Sequence, residues 1–464
     1  MRLNHWLVIF LSVNSAFLSG QKSPYIVVQD VFFVGNQKTK QQIIQRELSF
    51  QKGDTLLVED TAAAFLQDKN KVFNTGLFHR VQIKVNYKNN KEISIIVWVV
   101  ERWYLFPIPV FELADRNFNE WWNDRDRDFG RVVWGLKLYH RNFRGRNERL
   151  KLITQFGFIQ TYQLKYDIPY INQSYNTGLG FNVSYSQSNS VAFNLDENKL
   201  DFVSDEELVT EQYKASVNIK RRVGFYQFHT ASIGYEQVAV QDTVLRLNND
   251  YFPNQSLTQQ YIKLSYNFTY DRRDVQFYPL NGFFLRLEVE KKGLGLYSDL
   301  NQWIFNARYS AFKDLNKGFY GALSTGVSLK TKTTSFLNNR GLGYGSNLVR
   351  GYELNVINGQ HTFLTKTELK KRLFKRMDHL SFPWSPIKDL RYIPFGLYFK
   401  TFWDNGYVAD NQDSIGNQLA NRWLSGGGIG VDITGIFDAV FSLEYSASRE
   451  QKGNLFIKFS AGIR

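Results

Sequence analysis

The chain has 464 residues, with 57 Lys and Arg against 43 Asp and Glu, and it contains no cysteine. The lack of cysteine excludes a disulfide framework, a thiolate nucleophile, a cysteine-based metal site and a lipid anchor on an N-terminal cysteine. The excess of cations alone would be compatible with nucleic acid or an anionic surface. These cations alternate with Tyr, Phe and Leu along the whole chain, however, which argues against nucleic acid.

Aromatic residues make up 16% of the chain, and its nine prolines are scattered singly, without a low-complexity linker. The prolines favour one large unit with a small one attached. The aromatic content is typical of the interfacial girdles of a membrane barrel. An aromatic-rich soluble sandwich is the alternative.

Residues 1–20 have the layout of a secretory signal peptide. Arg2 precedes an apolar run from Trp6 to Phe17, and the small residue Gly20 follows. The run is too short to span a membrane as a helix, and we expect cleavage near Gly20. No other stretch approaches about eighteen apolar residues. A membrane location would therefore require a closed barrel, since only helices and closed barrels satisfy their backbone groups in lipid.

Residues 24–102 carry mixed helix and strand signals. The predicted order is strand, helix, helix, strand, strand, as a three-stranded sheet with two helices on one face. Such a sheet leaves an edge that can take up an extended strand of another chain, whereas a simple spacer is the alternative. The predicted elements are Tyr25 to Val34, a helix capped by Thr39 and ending at Leu48, a helix from about Glu59 to Asn74, Phe78 to Tyr87, and Glu92 to Val100.

From Trp103 onward the pattern changes to repeated strands of about ten residues, which are separated by turn residues. The predicted fold is a transmembrane β-barrel of about 16 antiparallel strands, preceded by one small α+β domain. The predicted strands are Trp103 to Leu113, Arg131 to Arg141, Arg149 to Phe158, Tyr162 to Ile168, Thr177 to Tyr185, Gln212 to Arg221, Phe228 to Val238, Tyr261 to Tyr270, Phe283 to Glu290, Trp303 to Phe312, Gly318 to Lys330, Thr362 to Arg372, Leu390 to Asp404, Gly426 to Thr434, Ala439 to Ser448 and Asn454 to Arg464.

Alternation along these strands separates a lipid face from a lumen face. In Tyr261 to Tyr270, Leu264 and Tyr266 share one face with other apolar residues, while Lys263 and Ser265 share the other with polar residues. A soluble sandwich would show the same alternation with the faces exchanged. The signal peptide, the strand length and the aromatic content favour the barrel.

A loop of about thirty residues, approximately 331–360, joins two of the strands, and loops of that length usually have a function. Three glycines, Gly341, Gly343 and Gly345, allow its backbone to turn tightly. They precede the segment Val349-Arg350-Gly351-Tyr352.

This loop segment resembles the Val-Arg-Gly-Tyr signature of the BamA/TamA-type outer-membrane assembly and translocation superfamily, the bacterial surface antigen family. The joints Phe33-Val34-Gly35-Asn36 and Thr75-Gly76-Leu77-Phe78 are similar to those of one POTRA domain. A turn in the barrel looks like the family's Asp-x-Arg-Asp…Pro-x-x-Gly turn. The residues that match this turn are Asp271, Arg273, Asp274, Pro279 and Gly282. The chain ends on Arg464, where the family usually ends on an aromatic residue.

The resemblance implies a POTRA domain at 24–102 in the periplasm, an outer-membrane barrel at 103–464, and a loop folded back into the lumen. It also implies that Arg350 meets Glu368 and Asp404 on the inner wall. The alternation agrees with this placement, because it directs both carboxylates inward, where they can form charge-assisted hydrogen bonds with the arginine.

Pro107 and Pro109 lie two residues apart in the first barrel strand, so one edge of that strand lacks two successive N–H donors. We predict that they face the last strand, Asn454 to Arg464, and leave this seam weakly paired. The alternative is that they face Arg131 to Arg141. In the family, such a seam is the proposed route of lateral opening toward the membrane.

Enzymatic motifs are absent from the sequence: no Gly-x-Ser-x-Gly, His-Glu-x-x-His or P-loop occurs, and six histidines are scattered. The chain is therefore predicted not to be an enzyme and to need no metal or cofactor. A lipid hydrolase, which would need a nucleophile elbow, is the enzymatic alternative.

By resemblance, the chain is predicted to assist the insertion or translocation of β-rich polypeptides at the outer membrane of a Gram-negative-type cell. Its implied partners are outer-membrane lipid, unfolded barrel or secreted polypeptide clients, and accessory periplasmic or lipoprotein subunits, with no nucleic acid. The alternatives are a dedicated pore or secretion translocator for one partner, and a passive transport barrel without insertase activity.

Overall fold

The structure, a computed structural model, describes residues 24–89, 91–113, 121–123, 126–297, 300–331, 335–376, 395–412, 416–435 and 438–460. The predicted signal peptide and Arg464 lie outside the described residues, as does the predicted start of a strand at Leu390. The described chain forms a four-stranded N-terminal sheet and a separate sheet of 16 strands. None of the described helices is long and apolar enough to cross a membrane.

The N-terminal domain packs two helices against one face of its sheet. Ile43, Ile44 and Val72 from the helices are buried against Val97 and Val99 of the sheet. The strand order is β2-β1-β4-β3, with β1 and β4 parallel. The elements are β1 (Tyr25–Val34), α1 (Gln41–Gln45), β2 (Thr55–Leu57), α2 (Val58–Asn74), β3 (Phe78–Tyr87) and β4 (Glu92–Glu101).

Two details of the predicted domain are wrong. The sheet has four strands instead of three, because the three-residue β2 pairs with β1 and is too short to show an alternating pattern. Thr39 does not cap α1: the residue before this helix is Lys40, and no side chain caps it. The Thr39 hydroxyl instead contacts the Tyr104 hydroxyl at 3.0 Å, so a tertiary contact replaced the local cap.

Each predicted barrel strand has a counterpart in the sheet of 16 strands, in which sequential strands pair antiparallel. The strands are β5 (Leu105–Leu113), β6 (Val132–Phe143), β7 (Glu148–Gly157), β8 (Ile159–Ile168), β9 (Thr177–Ser188), β12 (Thr210–Val223), β13 (Gln227–Val240), β14 (Thr258–Asp271), β15 (Gly282–Lys292), β16 (Gln302–Asp314), β17 (Phe319–Lys330), β20 (His361–Arg376), β21 (Phe395–Ala409), β22 (Trp423–Thr434), β23 (Val440–Ser448) and β24 (Asn454–Ser460).

Shorter elements lie in the connections. The hairpin β10 (Ser190–Asp196) and β11 (Lys199–Ser204) follows β9, and the helix α3 (Asp242–Leu247) follows β13. The acidic stretch from Asp201 to Glu211 begins in the second strand of this hairpin, although its charge alone would favour a solvated loop. Only residues 201–204 of this stretch lie in that strand, which is too short a segment to show a clear alternation in the sequence.

The apolar side chains of the large sheet face outward and the polar ones face inward. On β23, Leu443 and Tyr445 are 37% and 50% exposed, whereas Glu444 between them is 3% exposed. A soluble sandwich would bury the two apolar side chains instead. Apolar side chains outside and polar side chains inside are the arrangement typical of a transmembrane barrel.

Contacts between distant strands show that the sheet curls into a barrel. The hydroxyl of Tyr278, from the turn between β14 and β15, donates to Asp432 on β22 at 3.0 Å. Arg102, just before β5, binds Asp438, just before β23, at 2.7 and 2.9 Å. The two edges of the 16-stranded sheet therefore lie close together. Within the described residues, however, no backbone ladder joins β5 to β24.

Candidate functional site

The loop between β17 and β20 folds against the inner wall of the barrel. Its two short strands, β18 (Arg340–Leu342) and β19 (Ile357–Asn358), pair with each other. Leu342, Val349 and Tyr352 of the loop are buried against wall residues of β20, β21 and β22. The loop is thus held by an apolar cluster as well as by charge.

Glycines allow the loop backbone to approach the wall. Gly351 has φ +95°, and a Cβ there would lie 2.6 Å from the carbonyl oxygen of Ala447 on β23. On the wall side, a Cβ at Gly426 of β22 would lie 1.9 Å from the carbonyl oxygen of Arg350. Because real side chains do not tolerate such contacts, these two positions require glycine.

Arg350 lies at the centre of the site and is 3% exposed. Its Nε and Nη2 donate to the two carboxylate oxygens of Asp404 at 2.8 and 2.6 Å, and its Nη1 donates to Glu368 at 2.6 Å. The guanidinium also lies 3.9 Å from the centroid of the Phe402 ring. The structure therefore brings together the three residues that the resemblance named. Bidentate pairing of this kind fixes the arginine in orientation as well as in position.

A wider charge network, which was not predicted from the sequence, surrounds Arg350. Lys400 on β21 lies 2.6 Å from both Asp432 and Glu444. Glu444 also binds Lys458 of β24 at 2.5 Å and lies 3.8 Å from Arg350. Alternation in β23 already directs Glu444 inward and could have identified it as a member. The network connects the loop arginine to the last strand.

Glu353, also missed from sequence, holds the turn after Arg350. It is 6% exposed and accepts hydrogen bonds from the backbone N–H of Gly351 at 2.7 Å and from the Ser446 hydroxyl at 2.8 Å. Tyr352 beside it donates its hydroxyl to Glu450. The contact with Ser446 holds the Val349–Tyr352 segment against β23, and the contact with Glu450 holds it against the turn that follows β23.

The second sequence motif forms the turn between β14 and β15. Arg273 binds Asp271 at 2.8 and 2.6 Å, and Asp274 accepts from the Leu280 N–H at 3.1 Å. Gly282 has φ +100°, and a Cβ there would lie 2.1 Å from the Arg272 carbonyl oxygen. Pro279 directly follows Tyr278, whose ring enters the barrel and reaches Asp432. Through Asp432, this turn connects the charge network around Arg350 to the end of the barrel that lies near the N-terminal domain.

The N-terminal domain docks through its helix side onto the turns at one end of the barrel. Glu47 accepts two hydrogen bonds from Arg222 of β12, at 2.5 and 2.7 Å. Asn74 of α2 donates to the carbonyl of Asp274 at 3.1 Å, and Lys71 lies 3.3 Å from the centroid of the Phe225 ring. This end of the barrel is called the domain end below.

His79 of β3 lies beside the Arg102–Asp438 pair at the same junction. The pKa of His79 is lowered to about 4, mainly by burial and also by the charge of Arg102, while the charge of Asp438 opposes the shift. The imidazole is therefore neutral at pH 7, so His79 adds no positive charge next to Arg102.

Replacing Arg222 by Ala is expected to loosen the docked domain. The change leaves Glu47, whose side chain is 4% exposed, as a buried carboxylate without its bidentate partner. Such a loss typically costs about 3–5 kcal/mol. Limited proteolysis of the purified protein should then cut faster near residues 102–104. The matched control is Arg246→Ala, because its pair with Asp242 is 70% and 66% exposed and contributes little. Equal cleavage rates in both variants would contradict this role of Arg222.

Pro107 and Pro109 direct their nitrogens away from β6. The Arg141 N–H donates to the Tyr104 carbonyl at 2.8 Å, so this opposed pair is a hydrogen-bonded pair. Hydrogen-bonded and non-bonded pairs alternate along an antiparallel ladder. Pro107, opposite Leu138, and Pro109, opposite Leu136, therefore occupy non-bonded positions toward β6. Their missing donors lie on the open edge of β5, the edge nearest to β24.

In the part of the chain that the structure describes, no group of three His, Asp or Glu side chains is arranged to hold a metal ion.

Comparison with known proteins identifies two families along the chain. Residues 142–464 match the Omp85 superfamily domain, and residues 26–102 match POTRA, the surface antigen variable number repeat. The family's barrels are non-enzymatic insertases and transporters, so the prediction that the chain is not an enzyme is confirmed. No curated protein matches the chain.

Solved structures share the fold. BamA from Haemophilus ducreyi lacking POTRA domains 1–3 aligns at a TM-score of 0.53 and 16% identity, covering 94% of this chain and 84% of that one. CdiB from Acinetobacter baumannii aligns at 0.51 and 14% identity, covering 94% and 73%. CdiB from Escherichia coli aligns at 0.52 and 10% identity, covering 97% and 92%. At these identities the likeness establishes the fold alone.

Proposed function

Because this chain belongs to the Omp85 superfamily, we propose that it assists the insertion or translocation of β-rich polypeptides at the outer membrane. In this proposal the barrel spans the membrane and the POTRA domain lies in the periplasm. Outer-membrane lipid and unfolded or secreted polypeptides are the partners, and accessory periplasmic or lipoprotein subunits are a further class.

The observation that carries the proposal is the open seam between β5 and β24. No ladder joins these strands in the described residues, and two prolines remove donors from the β5 edge. On the other side, β24 presents a strand edge whose backbone groups can pair with an added strand. A client strand that adds there would leave water while keeping its backbone hydrogen bonds satisfied, as a strand in lipid must.

The POTRA domain offers a second strand edge on the way to the seam. Strand β3 is the outer strand of its sheet, so one side of its backbone lacks a partner strand. We propose that an extended client pairs transiently with β3 before it reaches the barrel. The docked helices keep this sheet at a constant position relative to the domain end of the barrel.

A passive transport barrel fits the geometry less well. The loop carrying Arg350 occupies the lumen and is held there by buried ion pairs and an apolar cluster. Such a loop obstructs free diffusion. A secretion translocator for one partner remains the second candidate, since a loop that moves would open the lumen.

The proposed function is tested with purified protein in liposomes and a urea-unfolded barrel client. Folded client is counted on gels as the fraction that migrates faster without boiling. We expect faster folding than in liposomes that hold an unrelated barrel, and the protein itself should show the same heat-dependent shift. Equal client folding in both kinds of liposome would overturn the insertase function. Migration of the protein that is independent of boiling, together with its release from membranes by salt, would overturn the barrel location.

A further inference from the structure

The inner wall from β6 to β12 carries a large excess of cations. Outward-facing Leu136, Leu152, Leu164 and Ile219 are exposed, which places the alternate residues of their strands inside the barrel. Among the described residues, Asp167 on β8 faces inward on this wall and lies 3.3 Å from Lys165. Three carboxylates reach its cations from neighbouring elements: Glu112 on β5 pairs with Lys137, Glu236 on β13 lies opposite Lys214, and Glu47 of the N-terminal domain binds Arg222. The cations that face inward are Lys137, Arg141, Arg149, Lys151, Lys165, Lys214, Lys220 and Arg222.

Several of these cations lie directly opposite one another across strand ladders. Arg141 is the Cα partner of Arg149, and Lys151 is the Cα partner of Lys165. Like charges in opposed positions destabilise a sheet. The wall therefore keeps an unfavourable arrangement that a single neutral residue in each pair would relieve.

The wall that faces the loop differs in its balance of charge, because Glu368, Asp404, Asp432 and Glu444 all lie on that wall itself. There Arg350, Lys370 and Lys400 each contact a carboxylate within 3.1 Å. Lys458 on the last strand likewise binds Glu444. The positive potential of the lumen is thus concentrated on the β6–β12 wall.

A cavity of about 780 Å³ at the junction with the POTRA domain is lined in part by Arg149, Lys220 and Arg222. Lys151 lies two residues beyond Arg149 on the inward face of β7, farther from the domain end. Alternate residues of a strand lie about 7 Å apart, and so do alternate side chains of an extended peptide. Cations at this spacing fit the carboxylates of an extended acidic chain, whereas a small anion would need only one of them.

We propose that the inner wall from β6 to β12 binds acidic segments of a polypeptide that enters at the POTRA junction. This inference rests on the proposed function only in taking the ligand to be a polypeptide. It adds the chemical class of the segment, rich in Asp or Glu, and the part of the lumen that it contacts.

The test measures binding of a fluorescein-labelled oligo-glutamate peptide to the detergent-solubilised full chain by anisotropy at low salt. The test variant is Arg149→Gln with Lys151→Gln, which relieves both like-charge contacts and should fold at least as well as the parent. Loss of two charged hydrogen-bond donors should raise the Kd at least about tenfold. The control is Lys52→Gln with Lys91→Gln, which removes the same charge from exposed positions of the POTRA domain that lie outside β3. The control should bind like the parent.

Three results would overturn the proposal: equal binding of an oligo-glutamine peptide, an unchanged Kd in the test variant, or displacement of the peptide by inorganic phosphate at an equal concentration of charge. The last result would indicate a general anion site. Because this assay needs no client folding, normal peptide binding together with failed client insertion would count against the proposed function alone.

Discussion

Replacing Arg350 by Ala is expected to release the lumen loop and to remove most of the insertion activity. Asp404 is fully buried and would lose both guanidinium bonds, while Glu368 would lose one. Leaving a buried charge without its partner typically costs about 3–5 kcal/mol. The contacts of Glu353 with Gly351 and Ser446 and the apolar cluster of the loop remain, but they leave the carboxylates of Asp404 and Glu368 without the guanidinium.

Release of the loop is measured as protease cleavage within it. Destabilisation of the barrel is measured as a lower temperature at which the gel shift of the unboiled protein disappears. Arg350→Lys should not restore the parent behaviour, because an ammonium group cannot reproduce the bidentate contact. Arg340→Ala is the matched control, since this second loop arginine is exposed and stacks on Tyr344. If Arg350→Ala, Glu368→Ala and Asp404→Ala all kept full activity and protease resistance, the anchor would have no role.

A disulfide across the seam between β5 and β24 is expected to stop client insertion while leaving the barrel folded. The chain has no cysteine, so an introduced pair can be oxidised without competing thiols. Phe111→Cys is combined in turn with Leu455→Cys, Ile457→Cys and Phe459→Cys, whose outward positions on β24 cover its length. A bond between the two edges prevents a client strand from entering between them.

The control for this experiment is a disulfide in a ladder that already exists. Phe111→Cys with Trp134→Cys joins opposed residues of β5 and β6. It should leave insertion unchanged, and reduction should restore activity in the seam variants. Insertion at the full rate with an oxidised seam would exclude lateral opening as the mechanism.

The strands and their two faces were determined by the sequence alone. Alternation is a local property, so each of the predicted barrel strands could be found, and the inward direction of Glu368 and Asp404 followed from counting residues. The proline spacing likewise established that one edge of the first strand lacks donors. The alternation did not reveal β2, because three residues do not make a pattern.

Tertiary structure decided which inward residues become neighbours. The register of β6 on β7 places Arg141 opposite Arg149, and the closure of the barrel brings Tyr278 to Asp432. Neither contact is encoded within one strand, since register depends on turn geometry and on packing across the whole sheet. The same limit applies to Thr39. The local sequence predicted a helix cap, whereas its hydroxyl contacts Tyr104 and Asn142 at the junction between the domain and the barrel. Only the fold revealed that inward cations lie opposite one another on the wall from β6 to β8, whereas those near the loop are matched by carboxylates.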